Sequence, residues 1–345
     1  MASPGVTQME EQLEQVEDVV EDVFPALVGT VVISALLLVM FVVRVYCRWA
    51  VPCPSNNRLD GKTVVITGSN TGLGKATALE LARRGARVIL ACRDDKKGDA
   101  VARNIKKKTK SSTVYSMRLD LASLNSIRQF VEYFNEKESH LHILINNAAY
   151  MGPKQTTEDG IERNFGVNYL GHFYLTYLLM DKLKRCAPCR VINVVSDSSL
   201  TTKLDLDDLP LSKRYDIYNA YSRSKVAQLI HTVEMHRRFF RDVVLSFAVN
   251  PGAANTDLLR NWPGFYGNVL RMISRFFFKI PDDACQTIVY CAVADKIKHD
   301  SGRMFQNCTR VNYKDYIRDK DRAEKLWNIS LHLCGLDKEI PASQE

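Results

Sequence analysis

The first 43 residues of this 345-residue chain contain no lysine or arginine. A secretory signal peptide needs a positive amino-terminal region, so we do not expect a cleaved leader of that kind. The segment is acidic instead, since seven of the 39 Asp and Glu residues fall within it. The other 302 residues keep 47 bases and 32 acids, so the formal net charge of +8 divides into −7 and +15. We therefore expect an acidic tail over residues 1–23 and a basic body.

Other features are also absent. The composition, 46% hydrophobic and 25% charged, excludes the disordered, collagen-like and disulfide-scaffold classes. No Pro-, Gly- or Ser-rich linker and no repeat occurs between residues 60 and 335, which predicts one domain. Nine cysteines form an odd set without framework spacing, as in a reducing compartment. The CxxC pair Cys186 and Cys189 lacks a second CxxC or HxxxH, so we interpret it as a solvent-facing loop rather than a zinc or redox site, and predict no metal.

The longest uncharged stretch runs from residue 24 to residue 43. A helix of about 20 residues spans roughly 30 Å, the thickness of a bilayer's hydrocarbon core, so we predict a transmembrane helix. A buried core helix is the alternative, but nothing nearby in sequence would cover a helix that is apolar all round. Arg44, Arg48 and Arg58 follow the span and no base precedes it, which puts the body on the cytosolic side. Residues 44–58 are then a juxtamembrane linker.

From residue 59 to 337 short β-branched runs alternate with segments of helical period. The runs at 63–67, 87–91, 114–119, 143–146, 191–195 and 244–249 are mostly apolar and do not alternate strictly between apolar and polar residues. Buried strands joined by helical crossovers are typical of a parallel sheet covered on both faces. We predict a single doubly wound, Rossmann-type α/β domain over 59–337 and a C-terminal tail over 338–345. The lysines at 106–110 look like a solvated turn, and without interleaved aromatics they indicate no nucleic-acid partner.

The first strand ends in a glycine-rich turn, Thr67-Gly68-Ser69-Asn70-Thr71-Gly72-Leu73-Gly74, followed by a helical pattern. Glycines let the backbone approach a pyrophosphate, and the helix N-terminus supplies free N–H groups to hold it. At the end of the second strand, where an acid would accept from a ribose hydroxyl, this chain has Arg93, with Lys97 nearby. A guanidinium can bind a 2′-phosphate, so NADP(H) is favoured over NAD(H); an ordinary surface arginine is the alternative.

Tyr221 and Lys225 lie four residues apart in YSRSK, so on a helix they project from one face. A phenol has a pKa near 10, and an adjacent ammonium is expected to lower it toward the range useful in acid–base catalysis. His172 is a tempting alternative because histidine titrates near neutrality, but we interpret it as a helix-packing residue.

The ordered set of these motifs resembles the short-chain dehydrogenase/reductase family. The resemblance implies a role at the adenine for Asp120 and Leu121, and a nicotinamide contact for Thr256 after Pro251 and Gly252. It adds Asn147 and Ala148 of the Asn146-Asn147-Ala148-Ala149 turn, in which Ala149 replaces the family's glycine. The expected cofactor-binding residues are Gly68, Ser69, Asn70, Thr71, Gly72, Leu73, Gly74, Arg93, Lys97, Asp120, Leu121, Asn147, Ala148, Tyr221, Lys225, Pro251, Gly252 and Thr256.

The resemblance also implies the catalytic set. Ser196 and Tyr221 would bind the substrate oxygen, and Tyr221 would deliver the proton. Lys225 would hold the nicotinamide ribose, and Asn168 would position a water that links Lys225 to solvent. Ser196 keeps the second of two serines usual in the family, while Val195 replaces the first.

Motifs such as Val167-Asn168-Tyr169-Leu170-Gly171-His172-Phe173 are similar to those of the microsomal retinol dehydrogenases, over residues 58–336. The implied function is a single-pass membrane enzyme, in the endoplasmic reticulum and facing the cytosol, that interconverts retinal and retinol or a related lipid aldehyde and alcohol. A steroid or polyprenoid carbonyl reductase and a non-catalytic nucleotide-binding scaffold remain alternatives. Residues 253–281 are aromatic and predict an apolar substrate lid, or a basic membrane-surface helix. The oligomeric state is not readable from the sequence.

Overall fold

A computed structural model describes residues 4–211 and 214–337. The chain divides into two units, with the boundary between residues 49 and 50. The first unit is one helix, α1 (Pro4–Arg48). Its part Val23–Arg48 is long and apolar enough to cross a membrane, and none of its apolar window is buried. The helix passes through both predicted ends of the span, so residues 24 and 43 are not helix boundaries. The predicted tail at 338–345, like residues 1–3, lies outside the described residues.

The second unit contains an eight-stranded sheet in the order β3-β2-β1-β4-β5-β6-β7-β8. All neighbouring strands are parallel except β7 and β8, which are antiparallel. The strands are β1 (Thr63–Thr67), β2 (Arg87–Cys92), β3 (Val114–Arg118), β4 (Ile143–Asn146), β5 (Cys189–Val194), β6 (Val244–Asn250), β7 (Met304–Gln306) and β8 (Thr309–Val311). The predicted doubly wound sheet is confirmed, and β7 and β8 extend it at one edge.

Helices fill the crossovers. In chain order they are α2 (Gly72–Arg83), α3 (Asp95–Thr109), α4 (Leu124–Lys137), α5 (Arg163–Phe165), α6 (Gly171–Leu178), α7 (Met180–Arg185), α8 (Ser198–Thr201), α9 (Ile217–Phe239), α10 (Gly264–Phe277), α11 (Pro281–Ala284), α12 (Gln286–Val293), α13 (Asp315–Arg318) and α14 (Lys320–Leu333). A π-helical turn at Gly166–Leu170 joins α5 to α6, and short 3₁₀ turns cover Asp257–Asn261 and Lys298–Asp300.

The central strands are buried throughout because both faces of the sheet are covered. Every residue of β1, β4, β5 and β6 is buried. One apolar cluster includes Phe134 and Phe173, and the cluster on the other side includes Leu81 and Ile288. The carboxyl ends of these parallel strands meet at one edge, which is where open α/β sheets bind ligands.

Two local predictions are corrected. Cys189 is not in a loop, because it opens β5 and is fully buried, while Cys186 lies just before the strand and accepts a hydrogen bond from the Leu141 amide at 3.3 Å. The lysines at 106–108 belong to the last turn of α3 rather than to a turn after it. The predicted linker is partly ordered on the second unit, since the Cys53 amide donates to Gln286 Oε1 at 3.0 Å.

Candidate active site

A cavity of about 820 Å³ lies along the carboxyl ends of β1, β2, β4, β5 and β6. Of the residues predicted to bind a cofactor, all but Ser69 line it. Ser69 is buried beneath the turn, where its hydroxyl donates to the Ile66 carbonyl at 2.8 Å. Ser69 therefore supports the turn from below instead of facing the cavity.

The glycine turn is shaped by close backbone approach. Gly68 has φ +63°, and a Cβ there would lie 2.8 Å from the Cα of Ala148. A Cβ on Gly74 would lie 2.6 Å from the Asn147 side-chain nitrogen. Larger residues at either position would push β1 away from the β4 turn, so both glycines are needed to close this end of the cavity.

Helix α2 begins at the cavity without a side-chain cap. Thr71 is its N-cap residue and makes no capping hydrogen bond, whereas Asp94, Ser123 and Asp216 cap α3, α4 and α9 with their side chains. The first amides of α2 are therefore left without a capping side chain at the wall of the cavity, and the positive end of the helix dipole adds to their attraction for an anion. This arrangement suits a bound pyrophosphate.

Arg93 and Lys97 also line the cavity, and they differ in whether a neighbouring acid already pairs with the side-chain charge. Lys97 Nζ lies 3.3 Å from Asp94 Oδ2, so this ammonium is already paired. Within residues 4–211 and 214–337, the Arg93 guanidinium makes no hydrogen bond or ion pair. Asp94 is occupied as the cap of α3, accepting from the Lys97 amide at 3.0 Å. Arg93 is therefore the group of the two that is available to a phosphate.

A buried network joins β1, the β4 turn and α6. The Thr67 hydroxyl accepts from the amides of Asn147 and Ala148, both at 2.9 Å, and lies 2.8 Å from His172 Nε2. His172 Nδ1 lies 2.9 Å from the Asn168 carbonyl. Burial lowers the pKa of His172 to about 3, so the ring is neutral. With Nδ1 protonated and donating to that carbonyl, Nε2 can accept the Thr67 proton.

The turn after β3, with Asp120, and the turn after β6, with Thr256, both line the cavity. Asp120 Oδ1 accepts from the Ala122 amide at 3.0 Å, which fixes the turn after β3. Thr256 caps the 3₁₀ turn at Asp257–Asn261, and a Cβ on Gly72 would lie 3.2 Å from its methyl group. The turn after β6 thus approaches the glycine turn directly.

Ser196, Tyr221 and Lys225 converge on one part of the cavity wall. Helix α9 carries Tyr221 and Lys225 one turn apart, and its N-cap Asp216 accepts from the Asn219 amide at 2.8 Å. Lys225 is 1% exposed and donates to the Val194 carbonyl at 2.7 Å. That carbonyl belongs to the last residue of β5, two positions before Ser196, so Lys225 links the helix that bears the tyrosine to the strand that bears the serine.

The ionisation of this group differs from the prediction. Burial raises the pKa of Tyr221, and a hydrogen bond with Ser196 opposes the increase. Burial also lowers the pKa of Lys225 to about 7, so its charge is itself disfavoured. The prediction that Lys225 lowers the pKa of Tyr221 was wrong, because burial of the phenol has the larger effect and raises its pKa. Tyr221 is a protonated phenol at neutral pH and can donate.

Asn168 lies in the π-helical turn and does not line the cavity. Its Oδ1 accepts from the Tyr150 amide at 2.6 Å, and its Nδ2 donates to the Tyr150 carbonyl and to Ser224 Oγ, each at 2.9 Å. The side-chain amide is thus engaged in holding Tyr150. Both donor positions of this side-chain amide are occupied, so a water bound at Asn168 would have to contact another of its atoms.

Sequence reasoning missed several wall residues. Tyr150, Gln155 and Arg163 line the cavity, and the Arg163 guanidinium lies 4.7 Å from the centre of the Tyr150 ring. Tyr150 follows the Asn146–Ala149 turn and could have been inferred from that position, whereas no motif marks the other two. Six residues of the predicted lid at 253–281 line the cavity, and none of them is aromatic: Ala254, Thr256, Asp257, Leu258, Arg260 and Asn261. The expected aromatic lining is therefore not what the structure shows.

The second unit is similar to known proteins in sequence and fold. The family described as "short chain dehydrogenase" matches residues 62–265. Retinol dehydrogenase 12 of Mus musculus is 45% identical over 288 residues, 83% of this chain and 90% of that protein. Retinol dehydrogenase 13 of Homo sapiens is 43% identical over 324 residues, 92% of this chain and 95% of that protein.

Solved structures agree on the fold. The crystal structure of an uncharacterized protein from Mycobacterium Paratuberculosis has a TM-score of 0.66 at 33% identity and covers 83% of this chain and 98% of its own. A 3-ketoacyl-(acyl-carrier-protein) reductase from Brucella melitensis, complexed with NADH, has a TM-score of 0.56 at 22% identity, over 72% of this chain and 96% of its own. At that identity the second likeness concerns the fold alone.

Proposed function

This chain belongs to the short-chain dehydrogenase/reductase family, and we propose a specific activity for it. As a member of that family it is an oxidoreductase that uses a nicotinamide dinucleotide. It is a membrane-anchored, NADP(H)-dependent enzyme that interconverts a hydrophobic aldehyde or ketone and its alcohol, most specifically retinal and retinol or a related lipid aldehyde. One observation carries the proposal. Ser196, Tyr221 and Lys225 line the same cavity as the uncapped start of α2 and the Arg93 guanidinium.

The roles of the three residues follow from their chemistry. The cofactor, when bound, supplies or accepts a hydride. In aldehyde reduction the carbonyl oxygen gains negative charge, and hydroxyl groups of Ser196 and Tyr221 stabilise it by hydrogen bonding. Tyr221 then gives its proton to that oxygen, and its raised pKa keeps the phenol protonated until the oxygen becomes a stronger base. Lys225 is a positioning residue for the pair through its bond to Val194.

Two features support NADP(H) over NAD(H). The Arg93 guanidinium is unpaired within the described part of the chain, and a 2′-phosphate offers it a charge-assisted, two-point contact. The neighbouring carboxylate of Asp94 is held at the start of α3, so it is already satisfied. An NAD(H) site would instead use a free acid at this position.

The substrate class and location rest on the relatives and on the first unit. Relatives named as retinol dehydrogenases cover most of the chain, which supports a retinoid or similar lipid as substrate. The apolar part of α1 supports membrane anchoring, and Arg44 and Arg48 near its end favour a cytosolic body, as for an enzyme of the endoplasmic reticulum.

The activity can be tested with membranes that contain the full chain. All-trans-retinal, a ketosteroid and medium-chain aldehydes are supplied with NADPH or NADH, and membranes with Tyr221→Phe serve as the control. We expect alcohol formation from retinal or a lipid aldehyde with NADPH. Turnover of the ketosteroid alone would favour the carbonyl reductase alternative. Nucleotide binding without turnover of any substrate would contradict the proposal and favour a scaffold.

A further inference from the structure

Helix α10 carries its large apolar side chains on the outside. Its buried residues are Gly267 and Ser274, which lie seven positions apart on one face. Phe265 is 76% exposed and Tyr266 is 78% exposed, although a helix packed on its own domain normally buries such rings. The other exposed apolar residues of this surface are Met272, Ile273, Phe276 and, just after the helix, Ile280.

This orientation is fixed by polar contacts on the inner face. Arg271 Nη1 donates to the carbonyls of Leu259 at 3.1 Å and Trp262 at 3.2 Å. A Cβ on Gly267 would lie 2.2 Å from the Trp262 carbonyl oxygen, so glycine permits this close approach. After the helix, the Lys279 amide donates to the Ala253 carbonyl at 2.9 Å. The helix is therefore anchored with its apolar face outward.

Bases predominate around the apolar face. From residue 258 to residue 281 the sequence contains no Asp or Glu and four bases, Arg260, Arg271, Arg275 and Lys279, and two exposed acids, Asp282 and Asp283, follow Ile280. Arg260 and Arg275 are exposed. Exposed aromatic and aliphatic side chains bordered by arginines match the interfacial layer of an anionic bilayer.

The point where the chain enters the second unit adjoins this surface. Val51 packs against the apolar cluster that includes Leu81, and its carbonyl accepts from Cys308 Sγ at 3.7 Å. Asn307, next to Cys308, accepts from Lys279 Nζ at 2.7 Å, one residue before Ile280. Only Trp49 and Ala50 separate the end of α1 from Val51.

We propose that the α10 surface, formed by Phe265, Tyr266, Met272, Ile273, Phe276 and Ile280, inserts into the interfacial layer of the bilayer that α1 crosses. This inference rests on the proposed membrane anchoring. Because Arg271 ties α10 to the 3₁₀ turn whose Leu258, Arg260 and Asn261 line the cavity, insertion brings the cavity rim to the lipid. A hydrophobic substrate then enters from the bilayer without crossing water.

Photocrosslinking tests the contact in the full chain, reconstituted in vesicles of phosphatidylcholine and phosphatidylserine. A photoreactive phenylalanine analogue replaces Phe265 or Tyr266, and in matched controls it replaces Tyr133 of α4, which is 49% exposed, or Phe41 of α1. We expect phospholipid adducts at 265, 266 and 41 and none at 133. Lipid adducts at 41 without adducts at 265 or 266, or crosslinks from 265 to a second protein chain, would overturn the inference while leaving the anchor intact. Absence of adducts at 41 would overturn the anchoring itself.

A kinetic comparison tests the consequence. The double variant Phe265→Ser with Met272→Ser is compared with Tyr133→Ser, using a long-chain aldehyde dissolved in the vesicles and a short water-soluble aldehyde. We expect KM for the vesicle-borne substrate to rise at least threefold while kcat and the KM for the soluble one stay unchanged. An equal loss with both substrates would show that α10 only supports the fold of the site, and would count against lipid contact.

Discussion

The Nε2 atom of His172 lies 2.8 Å from the hydroxyl oxygen of Thr67, in a region with no access to solvent. The pair joins the end of β1 to α6, and through the Asn147 and Ala148 amides it also fixes the turn after β4. His231 is equally buried, but its ring nitrogens have no hydrogen-bond partner in the described parts of the chain. It packs among aromatic rings, with the Trp327 ring centre 5.7 Å away.

The two histidines provide a matched pair for a stability measurement. His172→Leu leaves the Asn168 carbonyl without its donor, and we expect it to lower the free energy of unfolding by about 2–4 kcal/mol. His231→Leu removes no hydrogen bond, and we expect a change below about 1 kcal/mol. Thermal or urea unfolding of the detergent-solubilised full chain measures both. Equal destabilisation by the two variants would contradict the positioning role of His172.

Acid should destabilise the second unit through the same two residues. Burial lowers the pKa of His172 and of His231 to about 3, below the ordinary value of 6.5. Below pH 6.5 the unfolded chain protonates these histidines, whereas the folded chain does so only near pH 3. The stability is therefore complete above pH 6.5 and is lost progressively as the pH falls from 6.5 to 3. We expect the unfolding midpoint to fall between pH 7 and pH 5, and to fall less in His231→Leu. The exposed His299→Leu variant is the control and should retain the wild-type dependence.

Removal of the proposed proton donor should stop turnover without emptying the nucleotide site. For Tyr221→Phe we expect kcat to fall at least about 100-fold, the range for loss of a general acid. Tyr218→Phe is the matched control, because Tyr218 is one turn earlier on α9 and 51% exposed. Retained NADPH binding, followed by fluorescence, shows that the fold persists. Near-wild-type turnover of Tyr221→Phe would eliminate the assignment.

Lys225→Met tests the positioning role separately. The variant loses the donor to the Val194 carbonyl, which holds the end of β5 that bears Ser196. We expect a large fall in kcat together with a lower unfolding midpoint, because a buried carbonyl is left unpaired at a cost of about 1–3 kcal/mol. The rate of the reaction and thermal unfolding are measured on the same preparation. Unchanged values of both would contradict the role.

Cofactor preference should depend on Arg93 far more than on Lys97. Loss of a charge-assisted contact worth about 1.5–3 kcal/mol predicts that Arg93→Gln raises the KM for NADPH roughly 10- to 100-fold. The KM for NADH, which has no 2′-phosphate, should stay the same. Lys97→Gln is the control, since that ammonium already pairs with Asp94, and we expect less than a threefold change. Parallel increases for both cofactors would exclude a phosphate contact by Arg93.

The fold was predictable where its signals are local. Apolar, mostly β-branched runs marked β1 to β6, and the glycine spacing marked the turn after β1. Strands β7 and β8 have three residues each, too few for a periodic signal, and β7 exists because Ala248–Asn250 of β6 pair with it. Whether such short segments form strands depends on the neighbouring strand they pair with rather than on the β-propensity of their residues.

The site was predictable at the level of residue type and spacing. The four-residue separation of Tyr221 and Lys225 follows from helical geometry alone. The bond from Lys225 to Val194, the capping role of Asp94 and the burial that sets the Tyr221 pKa depend on segments distant in sequence. The same holds for His172, whose packing was expected but whose two hydrogen bonds were not.

The two edges of the sheet are short and carry cations. On β8, Arg310 pairs with Asp300 at 3.2 Å, and at the opposite edge the Tyr115 ring of β3 lies between the Arg87 guanidinium at 4.6 Å and the Lys106 ammonium at 4.5 Å. A strand from another molecule would have to displace these charges to pair with either edge, so both are poor templates for cross-β growth. When two copies of the second unit meet, these edges therefore oppose the strand pairing that leads to amyloid-like aggregates.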